Sequence, residues 1–121
     1  MRILVVDDDA LAGEMTAAVL EDLGHDPLLA ENGVEAMEKL AAEVAIEMVI
    51  SDLNMPLVSG IDLFREMRAQ GIVLPFILLT GDDPEGPRQQ EPLLDGCLLK
   101  DFSLEESLPA LIAEVLARHH E

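Results

Sequence analysis

The sequence predicts an α/β protein with a parallel, doubly wound sheet of five strands. Two observations support this class. Short apolar runs alternate with longer amphipathic stretches, which is typical of βαβ units whose strands are buried on both faces. Several of the apolar runs also end in a polar side chain. The 121 residues suit one domain, 1–121, of a size that buries an ordinary core.

Five apolar runs are predicted to be strands. Each is bounded by polar or turn-forming residues, as buried strands of parallel sheets are. The predicted strands are Arg2–Asp7, Asp26–Leu29, Met48–Ser51, Pro75–Leu79 and Cys97–Leu99.

The first two helices have recognisable ends. The first is predicted over Ala10–Leu23, with apolar residues at helical spacing and Gly24 as its C-terminal cap. The second has Asn32 as N-cap with Glu35 three residues later, the spacing of a capping box, and continues to about Glu43.

The later helices are also delimited by their caps. A third helix is predicted from Ser59 until just before Gly71, and a last one from Ser103, with Glu106 as its capping-box partner. Because proline removes a helical hydrogen bond, we expect a kink or a tight first turn ahead of Pro109.

The connection between the fourth and fifth strands is the least regular. Residues 82–95 contain three prolines and a glycine, which leave no window long enough for a stable helix. The sequence therefore predicts a short or irregular fourth helix.

Composition excludes several functional classes. With 25 acidic and 7 basic residues, the formal charge is −18, which repels phosphate backbones and argues against direct nucleic-acid binding. The single cysteine, Cys97, fits a reducing compartment. No basic, apolar leader pattern opens the sequence and no apolar window approaches about 18 residues, so we expect a cytoplasmic protein without membrane contact.

Polar groups follow four of the predicted strands. Asp7 ends the first and Asp8 follows it, and Asp52 follows the third, Thr80 the fourth and Lys100 the fifth. Strands of a parallel sheet point the same way, so these groups are expected at one edge, where open α/β folds bind ligands.

These residue types suit phosphoryl chemistry on a carboxylate. Adjacent acids repel each other unless a cation neutralises them, and a few hard oxygen ligands suit Mg²⁺. A carboxylate balanced in this way, Asp52, could attack phosphorus and form an acyl phosphate, with Thr80 and Lys100 contacting the phosphoryl oxygens. Asp7 and Asp8 could instead cap the following helix, a role that we assign to Asp9.

Four sequence motifs resemble the receiver domain of bacterial two-component response regulators. The resemblance covers the whole chain, and the motifs occur in the right order on matching strand ends. They are Val5-Val6-Asp7-Asp8-Asp9, Ser51-Asp52-Leu53-Asn54-Met55-Pro56 with Gly60, Leu79-Thr80-Gly81, and Leu99-Lys100.

The resemblance implies a flavodoxin-like fold with strand order 2-1-3-4-5 and a phosphoryl group transferred to Asp52 from a sensor histidine kinase or phosphotransfer protein. It also implies a modified surface that a downstream protein target or an output domain would read. The implied Mg²⁺ ligands are Asp7, Asp8, Asp52 and the backbone carbonyl of Asn54. Thr80 and Lys100 would contact the phosphoryl group.

The loop after the acceptor also fits the resemblance. Proline in Met55-Pro56 fixes φ, and Gly60 is expected to tolerate unusual backbone angles. Asp82, two residues after Thr80, resembles a position that tunes hydrolysis of the acyl phosphate. A solvated loop acid is the alternative interpretation of Asp82.

The chain departs from the family pattern at two positions. Asp101 follows Lys100 where the family has a cis proline, so we expect a trans peptide, with Asp101 able to pair with Lys100. Cys97 stands where the family has a switch aromatic, and we expect an altered readout through residues 82–95. Phe102 matches the aromatic that anchors this loop in the core.

Two alternatives stay open at this point. A phosphohydrolase of the haloacid-dehalogenase type would use Asp7 as acceptor and Asp9 two residues on, but Leu11 stands where that class has threonine. A pseudo-receiver would keep the fold as an interaction module without phosphoryl transfer. His25, His119 and His120 have no metal-ligand spacing and are expected at the surface.

Overall fold

A computed structural model describes residues 1–42, 45–101 and 103–119, without the side chain of residue 119. Within these ranges, the chain forms one five-stranded sheet in the order β2-β1-β3-β4-β5, with every neighbouring pair parallel. The strands are β1 (Arg2–Val6), β2 (Asp26–Ala30), β3 (Ile46–Asp52), β4 (Phe76–Thr80) and β5 (Gly96–Leu99). The predicted class and strand order are confirmed.

Five helices connect these strands in the described part of the chain. They are α1 (Ala10–Asp22), α2 (Gly33–Ala42), α3 (Gly60–Ala69), α4 (Glu85–Gln90) and α5 (Leu104–His119). The predicted end of the second helix at Glu43 lies outside the described residues, as does Phe102. None of the described helices combines the length and the apolar composition that crossing a bilayer requires.

The sheet separates two hydrophobic cores because alternate strand residues point to opposite faces. One core contains Leu4, Val49 and Leu78 and is covered by α2 and α3. The other contains Ile50 and Leu79 and is covered by α1 and α5. Burial on both faces explains the continuous apolar runs from which the strands were predicted.

Local caps begin three of the helices where the sequence predicts them. Asp9 accepts hydrogen bonds from the backbone N–H groups of residues 11 and 12, at 3.0 and 3.3 Å. Asn32 Oδ1 accepts from Glu35 N at 2.8 Å. At α3, Ser59 and Asp62 form a complete capping box. Each cap satisfies N–H groups that have no partner inside their helix.

The start of α5 differs from the prediction. Ser103 N and Oγ both donate to the Asp101 carboxylate, at 2.9 and 2.6 Å, and Ser103 Oγ accepts from Ser107 Oγ at 3.4 Å, so the hydroxyl proton of Ser103 is used outside the helix. Two short-range bonds, from Leu104 N to Asp101 O and from Glu106 N to Ser103 O, tighten the first turn. The helix then continues through Pro109.

Four arginines hold the connection around α4, which has only six residues as the prolines predict. They donate from α3, α4 and α5 to acceptors between the last residue of α4 and β5, and the Asp95 carboxylate also accepts from Phe76 N at 2.8 Å. The bonds are Arg65 to Gln90 O (3.1 Å), Arg68 to Asp95 Oδ2 (3.3 Å), Arg88 to Cys97 O (2.8 Å) and Arg118 to Asp95 O (2.5 Å). Side-chain bonds therefore position a segment that has little regular structure of its own.

Gly60 is required for space and not, as predicted, for an unusual backbone angle. Its φ is not among the positive values, which occur at Leu57, Gly24 and Gly71 in the described residues. A Cβ on Gly60 would lie 2.5 Å from the backbone oxygen of Asp52. The first residue of α3 therefore packs directly on the end of β3.

We predict that Gly60→Ala lowers the free energy of unfolding by about 2–3 kcal/mol, because a methyl group must displace backbone and core atoms. Urea denaturation measures this change. Gly86→Ala is the control, since nothing lies within 4 Å of its added Cβ. Gly86 is helical, so that variant should gain stability slightly. Equal stability of the two variants would contradict the close approach.

Candidate functional site

Three carboxylates meet at the carboxyl edge of the sheet. Asp7, Asp8 and Asp52 each present an oxygen within 4.8 Å of the others. Asp7 and Asp52 are buried, whereas Asp8 is exposed. The structure therefore brings together the three acids that the sequence placed at one edge.

The pairing of β1 with β3 produces this cluster. Val6 lies opposite Ser51 in the register, so the next residue of each strand, Asp7 and Asp52, reaches the same edge. Asp7 Oδ1 accepts a hydrogen bond from Asp9 N at 2.9 Å, which fixes the orientation of its carboxylate. Asp7 and Asp9 therefore have different roles. Asp9 caps α1, whereas Asp7 belongs to the carboxylate cluster.

Lys100 contributes the positive charge of the site. Its Nζ lies 2.6 Å from Asp7 Oδ2 and 3.5 Å from Asp52 Oδ1. The peptide bond to Asp101 is trans, as expected, and the Asp101 carboxylate bonds to Ser103. Asp101 therefore does not pair with Lys100, as the sequence had allowed, and the Lys100 ammonium contacts Asp7 and Asp52 instead.

Burial and charge alter the protonation of Asp52 and Lys100. Burial raises the pKa of Asp52, the Asp7 and Asp8 charges add to this rise, and Lys100 opposes it. Burial alone would lower the pKa of Lys100, but its hydrogen bond to Asp7 and the charges of Asp52 and Asp7 outweigh this effect and raise it. Lys100 therefore stays charged within the site.

Thr80 ends β4 next to the end of β3. It is fully buried, and its Oγ1 accepts a hydrogen bond from Asp82 N at 3.1 Å. Its backbone oxygen accepts from Lys100 N at 2.7 Å. Asp82 itself is exposed. Thr80 thus links the beginning of the α4 connection to the site.

The loop after Asp52 contains a feature that the sequence did not reveal. Asn54 lies exposed in it, and Val58 N donates to Pro56 O at 2.8 Å, which makes Leu57 the centre of a γ-turn. Leu57 has φ of 69° and is 98% exposed. A leucine in this conformation is strained, and no local signal marks such a residue because left-handed positions usually carry glycine or asparagine.

The remaining residues named from the sequence lie away from the cluster. Cys97 is buried in β5, and burial raises the pKa of its thiol. His25 is half-buried beside the N-terminal amine, 3.3 Å from it, and burial followed by this charge lowers its pKa. The side chain of His119 and all of His120 lie outside the described residues.

Fold and site together define an α/β domain with a cluster of three carboxylates and one ammonium at the carboxyl edge of a 2-1-3-4-5 sheet. The family model described as the response regulator receiver domain matches residues 3–112. The chain belongs to this family.

Curated relatives and solved structures agree with the assignment. Response regulator MprA of Mycobacterium avium is 36% identical over 115 residues, covering 93% of this chain and 50% of that protein. MprA of Mycobacterium leprae gives the same identity and coverage. The chain thus spans about half the length of these curated relatives.

Two solved structures show the same fold at similar identity. Response regulator TrrA of Thermotoga maritima, in complex with Mg²⁺-BeF, has a TM-score of 0.84 and 30% identity, covering 94% of this chain and 97% of that one. Chemotaxis response regulator CheY4 of Vibrio cholerae has a TM-score of 0.81, with the same identity and coverage.

We predict that Asp52→Asn stabilises the protein at pH 7 by on the order of 1 kcal/mol without added divalent cation. The folded state raises the pKa of Asp52 above its ordinary value of 3.8, so it binds this proton more tightly than the unfolded chain does. Ionisation of Asp52 as the pH rises therefore removes stability from the wild type.

The unfolding free energies of wild type and variant should diverge from pH 3 towards pH 7, as followed by urea denaturation. Asp82→Asn, at an exposed acid, is the matched control and should leave the wild-type profile almost unchanged. If Asp52→Asn were less stable than the wild type at pH 7, the ionised Asp52 carboxylate would not destabilise the folded protein, and the prediction would be wrong.

Proposed function

We propose that this chain accepts a phosphoryl group on Asp52 from a sensor histidine kinase or phosphotransfer protein and thereby changes a surface that a downstream target or an attached output domain reads. One observation carries the proposal. A buried carboxylate lies within a cluster of two further acids and one ammonium, at the edge of the sheet where ligands bind.

The donor set fits Mg²⁺. Three carboxylates and one ammonium leave a formal charge of −2, which one divalent cation balances, and hard oxygens with room for water suit this ion. Asp7, Asp8, Asp52 and the carbonyl of Asn54 are the proposed ligands. When bound, Mg²⁺ supplies neutralisation of the acids and of an incoming phosphoryl group.

Asp52 is better placed than Asp7 to accept the phosphoryl group. The phosphohydrolase alternative would require Asp7 to be the acceptor. Both oxygens of Asp7 already accept short hydrogen bonds, from Asp9 N at 2.9 Å and from Lys100 Nζ at 2.6 Å. The Asp52 carboxylate has the looser contact with Lys100, 3.5 Å. Asp52 has fewer short hydrogen bonds than Asp7, so it keeps an oxygen lone pair for attack on phosphorus.

In the proposed step, an Asp52 oxygen attacks the phosphorus of a phosphohistidine, the P–N bond breaks, and the imidazole of the donor leaves with the electron pair. An acyl phosphate remains on Asp52. Lys100 donates to one phosphoryl oxygen and the Thr80 hydroxyl to another. The bond from Asp82 N uses a lone pair of Thr80 Oγ1 and not its proton, so that proton remains for donation.

We predict that acetyl phosphate with Mg²⁺ increases the intact mass of the chain by one phosphoryl group, and that Asp52→Asn abolishes this increase. Asp82→Asn is the control and should still be modified. Omission of Mg²⁺ should suppress labelling. Modification of Asp52→Asn, or label mapped to Asp7, would contradict the proposal, and an unmodified wild type would support a pseudo-receiver.

The conformational readout is proposed to run through residues 82–95. Movement of the Thr80 hydroxyl towards a phosphoryl oxygen breaks its bond with Asp82 N, which lies at the start of this segment. Cys97 is buried and has no ring that could move between buried and exposed positions. Arginine contacts hold the segment at discrete points, so a rearrangement there changes the surface locally.

We predict that Mg²⁺ with beryllofluoride shifts backbone amide resonances mainly in residues 82–95, besides those of the site itself. The short α4 and its side-chain ties are the physical reason. Asp52→Asn, measured in the same way, should show no such shifts. Shifts spread evenly over a regular fourth-helix face would contradict the local readout.

A further inference from the structure

An apolar groove lies between α2 and α3, on the side of the sheet away from α1 and α5. We call it the α2–α3 groove. It has a volume of about 710 Å³, within the range of pockets that bind side chains. Apolar residues from both helices and from the γ-turn line it, including Val34, Met37, Leu57, Val58 and Leu63.

Two apolar side chains at this groove are exposed to solvent. Leu57 is 98% exposed and Val34 is 57% exposed. The γ-turn holds Leu57 in a left-handed conformation that is strained for a leucine. A strained and fully exposed leucine beside an apolar groove is costly for an isolated domain, and a partner that covers it recovers part of this cost.

The charges around the groove define the chemistry of that partner. Three acids line it, and none of the described residues that line it is basic. Lys39 of α2 pairs with Glu35 at 3.9 Å. The acids that line the groove are Glu38, Asp62 and Glu66, and Glu35 lines the adjoining pocket. A second copy of this chain would set acid against acid, and anionic membranes would be repelled for the same reason.

The groove geometry favours a helix over an extended peptide. Its lining runs from Gly33 to Ala41 along α2 and from Asp62 to Gln70 along α3, about 12 Å or two helical turns. Both walls are helices whose backbone groups are already bonded, so an extended segment would find no strand edge to pair with. A helix satisfies its own backbone and inserts side chains at i, i+3, i+4 and i+7.

We propose that the α2–α3 groove is a docking site for a basic amphipathic helix of a partner protein, with Leu57 and Val34 as its apolar anchors. Acids on the rim of the groove pair with lysine or arginine of the bound helix. The apolar side chains of that helix pack into the groove. This binding needs no phosphoryl group, so it is independent of the chemistry proposed for Asp52.

The test uses a synthetic peptide of about 14 residues, with leucine at i, i+3, i+4 and i+7 and lysine elsewhere. Its binding to the whole chain is measured by fluorescence anisotropy at physiological salt, without a phosphodonor. Shifts of backbone amides should map to α2, α3 and residues 56–58. The same peptide with glutamate in place of lysine should not bind.

Matched variants separate the groove from general attraction to a chain of charge −18. Leu57→Ser and Val34→Ser should each weaken binding about tenfold. Leu93→Ser and Val73→Ser remove exposed apolar residues elsewhere, 76% and 71% exposed, and should change affinity less than about twofold. These four residues lie at the surface, so the variants should fold.

Several results would overturn the proposal. They are absence of peptide binding, equal weakening by the groove and control variants, and amide shifts that map to another face. Self-association of the chain through the groove would also overturn it. Asp52→Asn should bind the peptide like the wild type, so failure of phosphorylation and failure of docking are distinguishable.

Discussion

The functional edge of this protein depends on repulsion among three carboxylates that one ammonium only partly offsets. Parallel pairing of β1 and β3 brings Asp7 and Asp52 to the same edge, and Lys100 arrives there from β5. Packing of the strands and helices does not require three carboxylates at this edge. In the proposed function, a divalent cation bound by these carboxylates relieves the repulsion.

The loop that follows the cluster connects it to two other features. Gly60 packs on the backbone oxygen of Asp52, so the start of α3 lies directly against the end of β3. Between these residues, the γ-turn presents Leu57 to solvent at the α2–α3 groove. Thr80 connects the site in the other direction, through Asp82 N, to the segment that the arginines hold. Short backbone links therefore join the cluster to both surfaces.

Local signals made the strands, most caps and the cluster predictable. Asp9 and Ser59 cap the helices that follow them directly, and parallel strands must share one edge, so Asp7 and Asp52 could be placed together from sequence. The bond between Ser103 and Asp101, the strain at Leu57 and the close approach of Gly60 depend on atoms whose positions only the folded chain fixes. The arginine contacts around α4 are of the same kind, since they join residues distant in sequence.

In the proposed function, the carboxylates at the sheet edge act together as a cation site. Titration with Mg²⁺, followed through backbone amide resonances, tests it most directly. We expect saturable shifts at about millimolar Mg²⁺, largest at residues 7–9 and 52–54 and lost in Asp52→Asn. Resonances at these positions that stay unchanged, or that respond equally in wild type and variant, would contradict it.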